Sequence, residues 1–321
     1  MKIKISICIP TWNSASYLKE AILSATNQSY ENIEILVVDN CSTDNTKGLV
    51  EDLQKNDERI IYKKNDTNIG LFGNLNRCLE HASGEYIKFL CSDDLLHPNC
   101  IELMVPHLAK DKNIQLVTGG RLRFDIDEGI KSIARFSSVK ETVAGDVVIH
   151  KCLFGRNYIG EPTAVLFRAD TAKRGFRKDL EQLADIEMWF HLLEKGTILN
   201  IPEPVCFIRE HNEQFTKSNI KSGVFFEDYN NLFELYKNKE YLAYTKRDLI
   251  KRKLIVSLYL WRSRKIITKE LKLKVIKNNS HYFYYLLMPV ISSFLSIIGK
   301  CKYHIWKNKT GFNKSLIPLD V

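Results

Sequence analysis

Apolar and polar positions over residues 1–95 switch between two periods in regular order. Ile3, Ile5, Ile7 and Ile9 alternate with Lys4, Ser6 and Cys8, the two-residue period of a strand, and Pro10 closes it. Ser14 then stands where a helix cap belongs, with Leu18, Ile22 and Ala25 on one helical face. Ile33–Val38 is a near-continuous apolar run ending at Asp39, and Cys41–Thr46 supplies turn and cap chemistry for a helix through Leu49, Val50 and Leu53. A short strand over Arg59–Tyr62, a Gly-rich loop over Asn68–Gly73 and a helix through Leu75, Leu79 and Ala82 follow. Ser83-Gly84-Glu85 turns the chain into a further strand from Tyr86 to Leu90. Strand and helix alternate, which predicts a doubly wound parallel sheet.

The run Tyr86–Leu90 leads through Cys91 and Ser92 to two adjacent carboxylates, Asp93 and Asp94. A turn needs only one Asp, and two acids side by side repel unless a cation lies near them. In open α/β sheets the carboxyl end of a strand is also where ligands bind. The competing reading is a capping turn for a helix over residues 98–108. Beyond this point the pattern predicts a strand at Leu116–Phe124, a hairpin turn at 125–129 and another strand at Ala164–Phe167. A helix is expected over Glu181–Lys195, then a strand over Ile201–Glu210 interrupted by Pro202 and Pro204. Lys131–Gly145 carries little periodic signal.

The 321 residues suit two domains, or one with a large appendage, and charge separates the two ends of the chain. Residues 246–321 hold 17 Lys and Arg against three acids, whereas residues 1–245 are net −5, within a total of +9. We divide the chain into 1–110, 111–222 and a helical, basic extension at 223–321. Eight scattered cysteines without a C-x-x-C pair suggest neither a zinc site nor a disulfide framework, and the N-terminal apolar stretch is too short for a signal peptide. A dinucleotide fold is excluded by the first turn: no glycine lies between Met1 and Gly48, so no backbone there can close on a pyrophosphate as G-x-G-x-x-G does.

The ordered series Ile7–Asn13, Val37–Asp44, Asn68-Ile69-Gly70, Ser83–Tyr86, Leu90–Asp94 and His97-Pro98 resembles the family 2 glycosyltransferases. The resemblance runs over residues 3–215 and implies a GT-A fold, a Rossmann-like mixed sheet flanked by helices. It further implies an enzyme that takes a sugar from a nucleotide donor and inverts the anomeric centre. By the same resemblance Pro10, Thr11 and Asn13 border the nucleotide base, and Asp39 accepts a hydrogen bond from it. That bond suits a UDP- or dTDP-sugar, whose base offers an N3–H donor; the alternative for Asp39 is a helix cap. Asn68, Gly70, Asn76, Ser92, Asp94 and Arg209 would lie near the donor. Asp93 matches the last position of the D-x-D element that holds Mg²⁺ or Mn²⁺ against the diphosphate, with His211 of an R-x-H element as a second ligand.

Asp185, in Leu183–Trp189, matches the family's general base, with Glu187 as its fallback, and Glu161-Pro162 resembles an acceptor-side loop. Three positions depart from the pattern: Asn40, Cys91 and Ala184. The tryptophans Trp12, Trp189 and Trp261 are read as core. Tyr282–Ile298 is 17 residues without charge, ~25 Å as a helix against a ~30 Å hydrocarbon core, and lysines flank it on both sides. This predicts a segment lying on the anionic inner face of the cell membrane, holding a peripheral cytoplasmic enzyme near a lipid-linked or growing glycan. Nucleic acid is not an expected partner, because the basic clusters bracket apolar runs it would leave exposed. The other function class consistent with these residues is a non-catalytic nucleotide-sugar-binding scaffold.

Overall fold

The protein is described here from a computed structural model, which covers residues 2–127, 129–211, 214–279 and 282–293. Its first half alternates as the pattern predicts: β1 (Ile5–Thr11), α1 (Ala15–Thr26), β2 (Ile33–Asp39), α2 (Thr46–Gln54), β3 (Ile60–Lys64), α3 (Leu71–His81) and β4 (Tyr86–Phe89). Then come β5 (Leu95–Leu96), α4 (Cys100–Lys110), β6 (Ile114–Asp125), β7 (Gly129–Ala134), β8 (Glu141–Ala144) and α5 (Gly145–Leu153). β9 (Val165–Arg168), α6 (Ala184–Leu193) and β10 (Thr197–Arg209) complete one sheet, in the order β3-β2-β1-β4-β9-β6-β10-β5. β1 to β4 pair in parallel. β9 runs antiparallel to both β4 and β6, so the sheet becomes mixed there.

β1 is buried on both faces, as the central strand of a parallel sheet must be. Its polar Ser6 survives burial because its hydroxyl donates to Glu34 and accepts from Gly84 N–H. A Cβ at Gly84 would lie 2.4 Å from Ser6 N, so this turn requires glycine. β10 runs on through Pro202 and Pro204 as a single strand, and the expected interruption is confined to its pairing. One flank of β10 pairs with β8 over Thr197–Asn200 and with β5 at Cys206 and Phe207, and its ladder with β6 shifts register between Asn200 and Cys206. The missing amides fall where one flank changes partners and the ladder with β6 is irregular, so their effect on pairing is local. Nor do Asp93 or Asp94 cap a helix, since α4 begins at Cys100 after Asn99.

The C-terminal part adds α7 (Phe215–Ser222), α8 (Val224–Tyr236), α9 (Lys246–Arg262), α10 (Lys269–Asn279) and α11 (Tyr282–Leu286). Thr245 and Asp248 form a reciprocal capping box at the start of α9, a signature present in the sequence but not used in its reading. Arg252, read as part of a basic cluster, is buried. Its guanidinium donates to the carbonyls of Leu153 (2.8 Å) and Tyr229, and lies over the rings of Tyr229 and Phe233. α9 is therefore bolted to the sheet domain. Among the described residues no helix is long and apolar enough to cross a membrane. Positions 294–298 of the uncharged stretch, and the lysines at 300 and 302, lie outside the described residues.

Arg252→Ala should lower unfolding free energy by about 2–4 kcal/mol, because two buried carbonyls lose their donor. Lys251→Ala, one residue away and exposed, should stay within about 0.5 kcal/mol in the same urea titration. Equal effects would contradict the anchoring role.

Candidate functional site

A cleft of ≈ 2790 Å³ opens at the carboxyl ends of β1, β2 and β4 and continues between α6, α7, α8 and α9. Its first wall is the turn after β1. Asn13 adopts a left-handed conformation (φ 49°), which its short polar side chain tolerates. Its N–H donates to Ser42 Oγ (2.8 Å) and its Oδ1 accepts from Thr43 N–H (2.8 Å). Pro10, Thr11 and Asn13 line the cleft as expected, and Thr11 Oγ1 is buried there without a hydrogen-bond partner. Trp12 is not core: it is 53% exposed at the cleft edge, an open aromatic face. Trp189 is fully buried.

Asp39 does not reach the cleft surface. It is fully buried, its Oδ1 accepting from Ser42 N–H (2.8 Å) and its Oδ2 from the Tyr62 hydroxyl (2.6 Å). It holds the 39–42 turn against which Asn13 rests. Asn40 lines the cleft, and its amide suits the place better than the acid the family pattern has there. Nδ2 donates to Asn68 Oδ1 (2.8 Å) and Gly70 O (3.2 Å), while Oδ1 accepts from Asn65 and from Ile69 N–H. A carboxylate could not donate to either oxygen. Gly70, at φ 77°, caps α3, whose first residues Leu71 and Phe72 also line the cleft. The unpaired amides at a helix start give this wall a partial positive charge. Asn76 turns away from the cleft and clamps the backbone of Phe176 through N–H donation in one direction and acceptance in the other.

The acid pair forms the floor. Asp93 Oδ2 and His211 Nε2 are 2.9 Å apart, so the two expected ligands meet although 118 positions separate them in sequence. Asp94 lines the same floor, but both its oxygens are engaged, accepting from Thr163 Oγ1 (2.7 Å) and Arg209 N–H (3.1 Å). Burial and the neighbouring Asp93 charge raise its carboxyl well above the ordinary range. Arg209 does not offer its guanidinium to a ligand. It donates to Asp93 O (2.9 Å) and to Glu20, and lies between the rings of Tyr17 and Phe124. It positions the acid pair. Ser92 lines the cleft and bonds Ser14 (3.0 Å).

Cys91, Asp93 and Asp94 bring one ligand atom each within 4.8 Å of one another. Burial, then the charges of Asp94 and Asp93, holds the Cys91 thiol well above its usual value, with Asp185 adding to the same effect. A protonated thiol is a poor ligand, which leaves a carboxylate and an imidazole nitrogen. That set fits Mg²⁺ or Mn²⁺ better than a thiolate-seeking ion.

Asp185 opens α6 and lines the cleft, with Oδ1 accepting from Ile186 N–H (2.7 Å). Burial raises its carboxyl to about 7, assisted by the charge of Glu161. Glu161 is pushed the other way. Burial would raise it, but Arg121 and Arg123, at 2.9 and 2.6 Å, outweigh that and hold it below its ordinary value. One acid near neutrality beside another kept ionised is a division of labour seen in acid–base sites. Glu187, the fallback base, is buried in a two-toothed pair with Arg174 and accepts from Tyr236 OH, so it is structural. Ala184 is also buried, beneath the cleft. The sequence reading missed Thr163, Tyr62, Glu20, Arg121 and Arg123. Only the arginines left a signal, two residues apart on one strand face beside Glu161.

The family model described as Glycosyl transferase family 2 matches residues 6–183. The putative glycosyltransferase EpsE of Bacillus subtilis is 31% identical over 219 residues, 67% of this chain and 76% of that one. The GalNAc(5)-diNAcBac-PP-undecaprenol beta-1,3-glucosyltransferase of Campylobacter jejuni is 45% identical over 94 residues, 29% of this chain and 30% of that protein. Residues 1–349 of S. aureus TarS, solved in complex with UDP-GlcNAc, match the fold with a TM-score of 0.56 at 17% identity, covering 91% of this chain and 92% of that one. The expected GT-A fold is therefore the observed one.

Asp185 makes a pH signature. A carboxyl raised from 3.8 to about 7 on folding binds its proton more tightly in the native state, so native stability falls as pH rises between those values. Asp185→Asn should remove this slope and be about 1–3 kcal/mol more stable than wild type at pH 8, with little gain at pH 4. Parallel stability curves for the two proteins in urea would refute the raised carboxyl.

Proposed function

This chain belongs to glycosyl transferase family 2, and we propose that it moves a sugar from a nucleotide-sugar donor to a hydroxyl of a lipid-linked or growing glycan, inverting the anomeric centre. The observation carrying this reading is that one cleft holds the Asp93–His211 pair and a separate carboxyl, Asp185, raised to about 7. Residues 1–110 form the donor half and 111–222 most of the acceptor half. Thr11, with its unpartnered hydroxyl, takes over the base contact first given to Asp39, since a hydroxyl can accept from a uracil or thymine N3–H and donate to its carbonyl. The UDP-sugar complex of the S. aureus neighbour agrees with a UDP or dTDP donor. Trp12 offers a face for stacking.

Asp93 and His211 would hold a divalent cation, Mg²⁺ or Mn²⁺, which would supply positive charge to offset the charge growing on the departing nucleoside diphosphate. The Gly70 amide is already held by Asn68 Oδ1 (2.9 Å), which leaves Leu71 and the rest of the first turn of α3, lining the same cleft, to favour that charge. Asp185 takes the proton from the acceptor hydroxyl as its oxygen attacks the anomeric carbon from the side opposite the leaving group. A base near 7 suits this, being ionised in part at neutral pH and strong enough to accept. Glu161, kept ionised by two arginines, stays a fixed anion whose charge sustains the raised Asp185. The undecaprenol-linked substrate printed in the name of the C. jejuni relative supports a lipid-linked acceptor and a role in cell-surface polysaccharide synthesis.

The tail holds the enzyme at the inner face of the membrane. Leu273, Phe283, Leu286 and Val290 are 60–76% exposed on α10, α11 and the residues after them, amid lysines 269, 272, 274 and 277. Truncation before α9 is the wrong test, because it would strip Arg252 from its buried carbonyls. Instead, Leu273→Asp with Phe283→Asp and Leu286→Asp should lose binding to phosphatidylglycerol vesicles in flotation while keeping the wild-type melting temperature. Undiminished flotation would end the membrane reading.

For the chemistry, the full chain with Mn²⁺ should hydrolyse or transfer one member of a nucleotide-sugar panel, with kcat rising through pH 7 and levelling above it. Asp185→Asn should reduce kcat by about 10²–10⁴-fold with donor affinity unchanged, and Asp93→Ala should lose metal-dependent donor binding. Near-normal turnover of Asp185→Asn removes the base assignment. Tight donor binding with neither hydrolysis nor transfer in wild type would favour the scaffold instead.

A further inference from the structure

The cleft has a second charged wall, away from the acid pair, that the transfer chemistry leaves unused. Arg156, just after α5, and Arg262, the last residue of α9, both line the cleft and are exposed. Among the described residues neither has a carboxylate partner, in contrast to Arg121 and Arg123, which are paired with Glu161. Tyr259, one turn before Arg262 on α9, lines the same cleft. Tyr229 of α8 donates its hydroxyl to the carbonyl of Gly155 (3.2 Å), the neighbour of Arg156, and Phe225 of α8 packs on Tyr259, so α8 ties the two arginine-bearing segments together. Burial raises the Tyr259 hydroxyl, and the positive charges of Arg156, Arg262 and Arg123 oppose that rise.

Positive charge without a partner inside a cleft focuses its field on an incoming anion, and guanidiniums match phosphate oxygens in pairs. The neighbouring lining is apolar. Phe225 packs on the Tyr259 ring at 4.7 Å, and Phe225, Tyr229 and Leu232 line the cleft from α8, each largely buried with 4–7% of its surface exposed. An anion site flanked by an apolar strip fits a molecule carrying both, with its charge next to its hydrocarbon. Arg262 and Tyr259 belong to α9, beyond the residues that the family model matches.

We propose that Arg156, Arg262 and Tyr259 bind the diphosphate that joins an acceptor glycan to an apolar chain, with Phe225 and Leu232 receiving the first part of that chain. This rests on the transferase reading and specifies its acceptor: the basic extension then contributes to substrate recognition as well as to location.

Geranyl diphosphate is the probe, measured by calorimetry on the full chain and on Asp93→Ala, which disables the donor-side diphosphate site. Both should bind it equally, and Arg156→Gln with Arg262→Gln should weaken binding by at least about tenfold at an unchanged melting temperature. Geraniol and inorganic pyrophosphate should each bind at least about tenfold more weakly than geranyl diphosphate, since each lacks one half of the match. Loss of binding in Asp93→Ala with retention in the arginine variant would overturn the proposal by assigning the probe to the donor site. Pyrophosphate binding as tightly as geranyl diphosphate would also overturn it, because the apolar strip would then contribute nothing. If no nucleotide sugar were ever turned over but the arginine-dependent binding held, the transferase reading would fail and this site would stand.

Discussion

Like charge crowded into one cleft is the constraint to which the rest of this structure answers. Asp93, Asp94, Asp185 and Glu161 all line it, and four ionised carboxylates at such close quarters would repel strongly wherever water is displaced. The fold gives each a different environment. Asp94 is buried under Thr163 and the Arg209 amide and resists ionisation. Glu161 is ionised by two arginines. Asp93 is left with an imidazole as its partner, and Asp185 with a single backbone N–H. Only the last two are open to new partners, a cation and a proton. The partners that fix the other two come from β6, β10 and the turn before β9, which is why the mixed half of the sheet must be complete before the parallel half has a working site.

This also explains which parts of the chain could be read from sequence. β1 to β4 and the helices between them are set by local period and by turn residues such as Pro10, Ser83 and Gly84, so they stood out. β5 has two residues and β8 is a short stretch without an apolar run, and each pairs with an edge that β10 offers. The prolines of β10 show the same limit: they mark where its ladder with β6 is irregular, but whether the strand continues past them depends on neighbours distant in sequence.

Among site residues the division is similar. Asp93, His211, Asp185, Thr11, Asn13, Asn68 and Gly70 all reach the cleft because they sit at strand ends or helix starts, places that local pattern locates. Asp39, Asn76, Arg209 and Glu187 carry suitable chemistry at suitable positions, yet their polar atoms are engaged by Tyr62, Phe176, Glu20 and Arg174. No motif records those pairings. Residue type sets what a side chain can bond; only the fold determines whether that bond is still available.

The extension carries this point to its end. Seventeen basic residues past position 245 suggest one electrostatic surface, but among the described residues they meet at least three physical situations. Arg252 is desolvated, with burial lowering its pKa to about 10, and acts as an internal clamp on two carbonyls. Arg262 stands in the cleft wall. Lysines 269, 272, 274 and 277 belong to α10, next to the exposed apolar residues. A buried clamp is insensitive to salt, whereas the exposed lysines are screened over about 8–10 Å at physiological ionic strength. On the proposed membrane reading, raising salt should therefore release the protein from an anionic surface long before it loosens α9 from the domain, which would make location and fold separable properties of one basic segment.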